Sequence, residues 1–409
     1  MKTQQQLLIG LSILATTVSC SSGGSGQSRG KDLLADCPVV AQYVQIGNDK
    51  VLSCDQKLLK DTVSFPLSHF TEEMEIIKLD NSDKALIGQC ALTISDNYIL
   101  AHSGYPPTAF KLFDRKGHFI TEVGAVGQGP GEYQSVYDAQ IDESNQRIYL
   151  MPWQSDKLLV FGMDGKALDP VPLGIRCPKA RFKVDPEKSM VTVAILPWAG
   201  EEPVVWQQDM EGNHIQEVAA GHLAVQRSFN HELFVFLNMP DHFDFSMYCM
   251  MPTRVDSLYR YNEQENRLQP VFTFNHATTD PVPWHGYSEF SDYFTGNFSG
   301  PPVVQATEYG TVSTPGETFH YIIDKKSGKG AYFKMYNDYF GDSPIGYPSG
   351  VFVKGYFMHN IEPGNLLTEI ENALKNPSLS EGMKKKLTDL QNSIDENDNN
   401  YVMLARLKK

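Results

Sequence analysis

Residues 124–138 read GAVGQGPGEYQSVYD, and the fold turns on what this glycine-rich run does. It either cradles a phosphate or crosses between repeated β units. A Walker-type loop ends in Gly-Lys-Ser/Thr, whereas here Gly129 is followed by Pro130. The dinucleotide fingerprint, begun at Gly127 and Gly129, would need a glycine where the chain has Glu132. Pro130 removes an amide donor where an anion would want one, and Glu132 would set a carboxylate against the phosphate. No long helical pattern follows. The glycines instead permit the backbone angles of a sharp crossing between sheets.

Working outward, the chain repeats itself. Segments beginning at Asn97, Arg147, Val191, Ser246 and Gly310 each read strand, proline-containing loop, strand, polar turn, strand. Their turns are DRKG, GMDGK, DMEGN, NEQEN and KKSGK, the Gly/Asn/Asp chemistry of tight hairpins. The loop prolines Pro107, Pro152, Pro197, Pro252 and Pro315 are separated by 45, 45, 55 and 63 residues. A period somewhat above 40 with about four strands per unit is the signature of propeller blades. A sixth blade can be assembled from Gly350–Ile361, the C-terminal YVMLARLKK and the N-terminal Glu72–Asp80, with five or seven blades as the alternatives. A ring closed by strands from both ends leaves no free sheet edge. The expected fold is all-β, a six-bladed β-propeller over 72–409 with a small helical insertion, 364–394, in the last blade. That insertion carries Leu366, Leu367, Ile370 and Leu374 at helical spacing, then a capping-box pattern of Ser378 with Glu381 and a stripe of Met383, Leu387 and Leu390. It reads as a helical hairpin on the propeller, with a partner-docking helix as the sharper alternative.

The start of the chain, MKTQQQLLIGLSILATTVSCSS, has a basic residue, a short apolar run and small residues before Cys20. It reads as a signal peptide over 1–19, with Cys20 as a lipidation site and 20–31 as a flexible Gly/Ser tether. Residues 32–71 form an N-terminal segment of unassigned role. The formal charge of −14 on 409 residues argues against nucleic-acid partners. Cys37 and Cys54 flank a stretch with Gly47-Asn48 at its centre, a hairpin that allows a Cys37–Cys54 disulfide. No C-x-x-C or H-E-x-x-H pattern occurs, and the G-x-S-x-G match at Gly26–Gly30 falls in the Gly/Ser tether rather than on a strand-to-helix turn, so neither a catalytic residue nor a metal or cofactor is assigned. Asp241, His242 and Asp244 in PDHFDF read as a solvated turn rather than a metal site.

The GQGPGEY element (127–133), the FDRKG turn (113–117), the N-terminus and the terminal DENDNNYVMLARLKK together resemble the six-bladed β-propeller lipoproteins of Bacteroides-type bacteria. These are related in architecture to NHL-repeat propellers. The resemblance spans Glu72 to Lys409. It departs at Asn399-Asn400, where Asn-Pro is frequent in that group, and in longer fourth and fifth repeats. It implies an envelope protein, and it fixes fold better than function, since most members have no established activity.

Strand alternation assigns faces. Loops between second and third strands share one face with the blade-to-blade connectors. That face is expected to collect Tyr105, Gln128, Glu132, Tyr133, Trp153, Asp156, Trp198, Glu201, Glu202 and Arg254. It also takes the connector 276–302, with Trp284, His285, Tyr287, Phe290, Tyr293 and Phe294, and the connector 337–348, with Tyr339, Phe340 and Tyr347. Rings beside carboxylates suit sugar or peptide faces. The alternative is that the rings plug the channel mouth and cover blade edges. The leading expectation is therefore a membrane-anchored propeller that binds a glycan, a peptide or an envelope protein on this face. A lyase or glycosidase, or a structural subunit of an envelope complex, are the alternatives. The stretch after Cys20 lacks an acidic run, which favours the periplasmic side.

Overall fold

The computed structural model describes residues 32–409 apart from 104–106, 199–201, 229, 250–253, 308–309, 315 and 347–350. The expected signal peptide, the expected lipidation site Cys20 and the expected tether over 20–31 lie outside the described residues. Six sheets follow one another along the chain, and the first strand of the second sheet touches the first strands of the sheets on either side of it. Blade one is Ala91–Ile94, Tyr98–His102, Phe110–Asp114 and Phe119–Val123. Blade two is Val136–Asp142, Arg147–Pro152, Ser155–Gly162 and Ala167–Cys177. Blade three is Ala180–Asp185, Met190–Ile195, Pro203–Asp209 and His214–Ala219. Blade four is Glu232–Phe234, Asp244–Tyr248, Ser257–Asn262 and Arg267–Asn275. Blade five is His285–Glu289, Tyr293–Ser299, Thr318–Asp324 and Gly330–Asn337. Blade six is Val351–Val353, Tyr356–Ile361, Tyr401–Leu407 and Thr71–Lys78. The six-bladed expectation holds, and the sixth blade is closed by the N-terminal strand.

The core lies between blades rather than inside them. Leu100, Phe110 and Val123 of blade one pack on Ile148, Leu150 and Phe161 of blade two. Ala194 and Val205 of blade three pack on Phe245 and Tyr259 of blade four. Ile99 and Phe113 of blade one meet Val402 and Leu404 of blade six. Each sheet is thus apolar on both faces, and no blade can be dry without two neighbours.

The polar turns explain how neighbours seat. Asp114, Asp209 and Asn262 each accept two backbone N–H groups two to four residues on, which fixes the hairpins. Gly117 and Gly165 have φ of +87° and +78°. A Cβ on Gly165 would sit 2.0 Å from the Glu122 carbonyl in blade one, and one on Gly117 would sit 2.0 Å from the Lys78 carbonyl in blade six. In blades one, two and three the turn glycine is therefore the point of contact with the outer strand of the blade before, Gly212 meeting Pro172 in the same way, and in blade five Gly328 meets Ala41 of the added N-terminal hairpin. Blade four uses Asn266 instead, whose amide donates to the Glu217 carbonyl at 3.0 Å.

Two expectations are corrected. The fifth repeat was phased on Gly310, but Gly310–Thr314 pairs with Val303–Thr307 as a side hairpin inserted between the second and third strands of blade five. The real first and second strands come from the stretch read as an aromatic connector. The Cys37–Cys54 disulfide is also not formed. The Gly47-Asn48 hairpin exists, but its register sets Ala41 opposite Cys54. Cys54 is a free, buried thiol among Leu52, Phe272 and Phe274, and burial raises its pKa, while Cys37 packs in a different cluster. The N-terminal segment has a structural role that its sequence does not advertise. Asp49–Asp55 adds in parallel to the outer strand of blade four, and Thr62–Pro66 adds in parallel to that of blade five. The chain then enters blade six.

The two helices, Pro363–Leu374 and Glu381–Ser393, bury Leu366, Ile370, Ala373 and Leu387 against Phe340, Phe357 and Tyr401. Their apolar stripe is consumed by the protein's own blade. Ser380, rather than Ser378, caps the second helix by accepting from the Met383 amide at 3.1 Å.

Closure of blade six is held by a polar clasp. Asp398 takes the Lys78 ammonium at 2.7 Å, the Asn81 amide at 2.7 Å, the Tyr401 hydroxyl at 2.8 Å and the Asp395 amide at 2.9 Å. Asn399 donates to the carbonyls of Asp80 and Ala85, and its side-chain oxygen accepts from Ile87 and Asn400. The Asn400 amide used here is one that proline could not supply. Burial raises the pKa of Asp398, but Lys78 and the surrounding donors outweigh it and hold the carboxyl well below the usual carboxylate range.

Replacing Asp398 with Ala strands these donors and is expected to lower unfolding free energy by about 3 kcal/mol, read by urea denaturation. Gly165→Ala is expected to cost at least ~2 kcal/mol, because it combines a left-handed backbone with a carbonyl clash. A midpoint unchanged from the native chain would remove that turn from the blade-seating role.

Candidate functional site

Sequence expectation placed the site on the connector face, and the structure has a cavity there of about 650 Å³. Its wall from blade two and the following connector supplies Gln154, Arg176 and Pro178. The second-to-third-strand loop of blade three supplies Trp198 and Glu202, and the connector into blade four supplies Ala224 to Arg227. Arg176 sits at the end of the outer strand of blade two, and the others are loop residues held by the ends of rigid strands, the usual arrangement for binding residues.

Trp198 is buried, 6% exposed, in the seam between blades three and four. The Arg227 guanidinium lies 5.1 Å from its ring centroid. Arg176 and Arg227 are exposed. Glu202 is half-buried, and its Oε2 is shielded from solvent with no hydrogen-bond partner. Arg254 reaches the same region from outside the cavity. It donates to the carbonyls of His222, Leu223 and Ala224 at 3.2–3.3 Å and pairs with Asp256 at 3.4 Å. It braces the wall rather than lining it.

The other expected residues scatter. Trp153, 41% exposed, neighbours Gln154 in sequence but does not line the cavity. Gln128 and Glu132 are exposed on the connector between blades one and two. Glu132 accepts from the Gly129 amide at 2.8 Å, so its carboxylate serves the loop's own turn. Tyr133 is buried, and its hydroxyl accepts from the Phe110 amide and donates to the Val123 carbonyl, pinning blade one. Tyr105 and Glu201 lie outside the described residues, as does Tyr347.

The expected rim of rings over 276–302 is corrected. His285, Tyr287 and Phe290 belong to or adjoin the first strand of blade five, Phe294 lies in its second strand, and all four are buried. Tyr287 donates to the Asp256 carbonyl at 3.1 Å and packs edge-on against Phe272. Trp284 is half-buried at the strand's start. Phe290 packs with Phe70 and Leu407 toward blade six, while Tyr287 and Phe294 fill the seam between blades four and five, so these rings cover blade faces rather than a wet rim. His276 and His285 are buried there with ring centroids 4.7 Å apart. Among the described residues neither nitrogen of His276 has a partner, and Nε2 of His285 has none.

On the opposite face, His242 and Asp244 meet Glu289, a residue that sequence reasoning missed because it comes from the next blade. Their ligand atoms lie within 4.8 Å of one another, a spacing that could hold a metal ion. The geometry is instead that of a charge network. Arg260 grips both oxygens of Asp244 at 2.9 Å and also reaches Glu289, whose other oxygen takes Lys325 at 2.6 Å. His242 meets Glu289 at 3.2 Å. Burial pushes Asp244 up to about 7 against the pull of Arg260, and its partners hold Glu289 low. A metal would have to displace two cations. Asp241 stays exposed and outside the cluster.

Comparison with known proteins adds the family and the fold. The family described as Domain of unknown function (DUF4934) matches residues 49–406. A protein of Bacteroides fragilis inferred to be exported has a similar structure at 15% identity, TM-score 0.52, over 85% of this chain and 99% of that one. A DUF4221-family member from Bacteroides vulgatus is similar at 12% identity, TM-score 0.44, over 83% and 97%. A protein of unknown function from Bacteroides thetaiotaomicron is similar at 11% identity, TM-score 0.37, over 81% and 76%. No curated protein matches the chain. At these identities the likeness concerns the fold alone.

The buried histidine pair gives a pH prediction. Burial lowers the pKa of His276 to about 3, with the neighbouring His285 adding to the shift, from an unfolded value near 6.5. The folded chain thus resists the proton that the unfolded chain accepts. This contribution is fully present above about pH 6.5 and is lost as pH falls toward 3. Between pH 7 and 4 it should remove about 3 kcal/mol. His276→Leu should show a correspondingly flatter profile in paired denaturation curves, and parallel profiles would refute the assignment.

Proposed function

The chain belongs to the DUF4934 family, a domain of unknown function, and on that premise we propose that it is an exported, membrane-anchored propeller that binds a ligand on its connector face. The observation that carries this reading is the cavity of about 650 Å³ between blades two, three and four. Its size is within the range of small-ligand sites, and a few convergent polar groups surround one aromatic ring. Sugars and short peptides fit such a lining. Attachment through Cys20 and the tether 20–31 would hold the propeller off a membrane, facing the periplasm. The signal-like N-terminus supports export, as does the inferred export of the Bacteroides fragilis protein with the similar structure. Kinship with the lipoprotein propellers, and through them with NHL-type repeats, rests on the GQGPGEY and DENDNN elements.

Binding is preferred to catalysis because general acid–base chemistry on a glycoside needs two carboxyl groups at a set separation. Among the described lining residues only Glu202 supplies one. A docking role for the helical insertion is disfavoured, since its apolar stripe is buried on blade six.

Ala224 lines the cavity and is half-buried at the margin of the seam between blades three and four, so Ala224→Trp fills the cavity from that margin, and its unfolding midpoint, read beside the native chain's, shows that the seam is intact. In a glycan and peptide array, this variant should lose at least ~90% of the native chain's captured signal, the loss expected when a site's volume is occupied. Trp153→Ala should retain most of the signal. Undiminished capture by Ala224→Trp would move the site elsewhere.

A further inference from the structure

The chemistry of the lining narrows the ligand, given the reading of this cavity as the binding site. The chain carries a formal charge of −14, yet the cavity presents two exposed arginines and one carboxylate. Other arginines of this face are engaged internally: Arg181 donates to the Tyr137 carbonyl, and Arg254 to the carbonyls of the cavity wall. Arg176 has no hydrogen-bond or ion-pair partner among the described residues. Among the described residues Arg227 has only the face of Trp198, which offers its N–H groups no carboxylate or carbonyl.

A guanidinium is a donor-only fork matched to carboxylate or sulfate. Glu202 presents the opposite need, since its shielded Oε2 is an acceptor without a donor. Gln154 and Gln226 add amides that can both give and accept. A ligand that satisfies all of these carries an anionic group on a frame rich in hydroxyls. We infer that the cavity recognises an acidic oligosaccharide, whose carboxylate or sulfate is taken by Arg176 and Arg227 while a ring hydroxyl donates to Glu202. An acidic peptide meets the charge requirement alone. Peptide recognition draws on a free strand edge or on apolar side-chain pockets, and the one aromatic ring of the described lining is already covered by Arg227.

The test is calorimetric titration of the full chain with tetragalacturonate, a chondroitin sulfate tetrasaccharide, neutral maltotetraose and tetraglutamate. At least one acidic saccharide should bind about tenfold or more tightly than maltotetraose and tetraglutamate. Arg176→Ala and Arg227→Ala should each weaken it about tenfold, Arg227→Lys less, and added salt should weaken it further. Neither acidic saccharide binding, equal binding of maltotetraose or tetraglutamate, or unchanged affinity in both alanine variants overturns the inference. Ala224→Trp separates this failure from failure of the site. If it abolishes maltotetraose binding while the acidic saccharides never bind, the ligand class falls and the cavity stands. If an acidic saccharide binds it undiminished, the cavity is not the site and the inference falls with it.

Discussion

The ring depends on closing its last blade. Every blade here is apolar on both faces, so its stability lies in the seams it shares with two neighbours, and an unclosed ring leaves two seams wet. Pairing of Thr71–Lys78 with Tyr401–Leu407 ends that condition by joining strands more than three hundred positions apart. Bringing such distant segments together costs loop entropy before any seam is buried. The Asp398 clasp concentrates directional bonds at that junction. It ties the approach to the last strand to the exit from the N-terminal one through charge, amide and hydroxyl groups that converge on the buried Asp398 carboxylate. The closing interaction is therefore polar and specific, while the six seams that depend on it are apolar and repetitive.

Repetition is what made the architecture legible. The Asp/Asn turn with a left-handed residue recurs because blades one to four touch the outer strand of their predecessor at that point, and the need leaves a mark of similar residue type at fixed phase. The reading failed where a local pattern imitated the repeat. Val303–Thr307 and Gly310–Thr314 alternate and turn like blade strands, yet they pair only with each other, and pairing is not written in either segment alone. Residues 32–71 were unreadable for a related reason. Strands added in parallel to a blade's outer edge need no turn chemistry and no period, so nothing local distinguishes them from an extended leader.

The site was half legible. Its face followed from strand direction, and Trp198 and Glu202 were named from their loop. Arg176 and Arg227 were not, because an isolated arginine in a connector has no signature until the fold shows which ones lack internal acceptors. Aromatic density misled for an energetic reason. Large rings contribute more when they fill a seam than when they line a wet rim, and the segment richest in them, around Tyr287 and Phe294, became the first two strands of blade five. Only Trp198, at a seam that also borders the cavity, serves both purposes.

The two faces of the ring differ in how their charges are resolved. Lys354, in the first turn of blade six, crosses to Asp138 of blade two at 2.8 Å, and its amide donates to the Phe236 carbonyl in blade four at 2.7 Å. Asp138 in turn accepts from the Phe182 amide of blade three at 3.1 Å. Near the same face, Arg260 and Lys325 neutralise Asp244 and Glu289. Charges there are matched to one another, and they tie blades together across the centre and across a seam. Folding alone favours that outcome wherever charged groups lose water. Around the connector-face cavity the matching stops: among the described residues two guanidiniums lack acidic partners, and a carboxylate oxygen is withdrawn from solvent without a donor. A shielded, unpartnered acceptor costs stability and contributes nothing to a seam. Departures from local consistency of this kind concentrate where a protein meets something outside itself. Here the departure coincides with open volume on rigid loop ends, which is the physical reason the cavity, rather than the more crowded cluster at blades four and five, reads as the working surface of the ring.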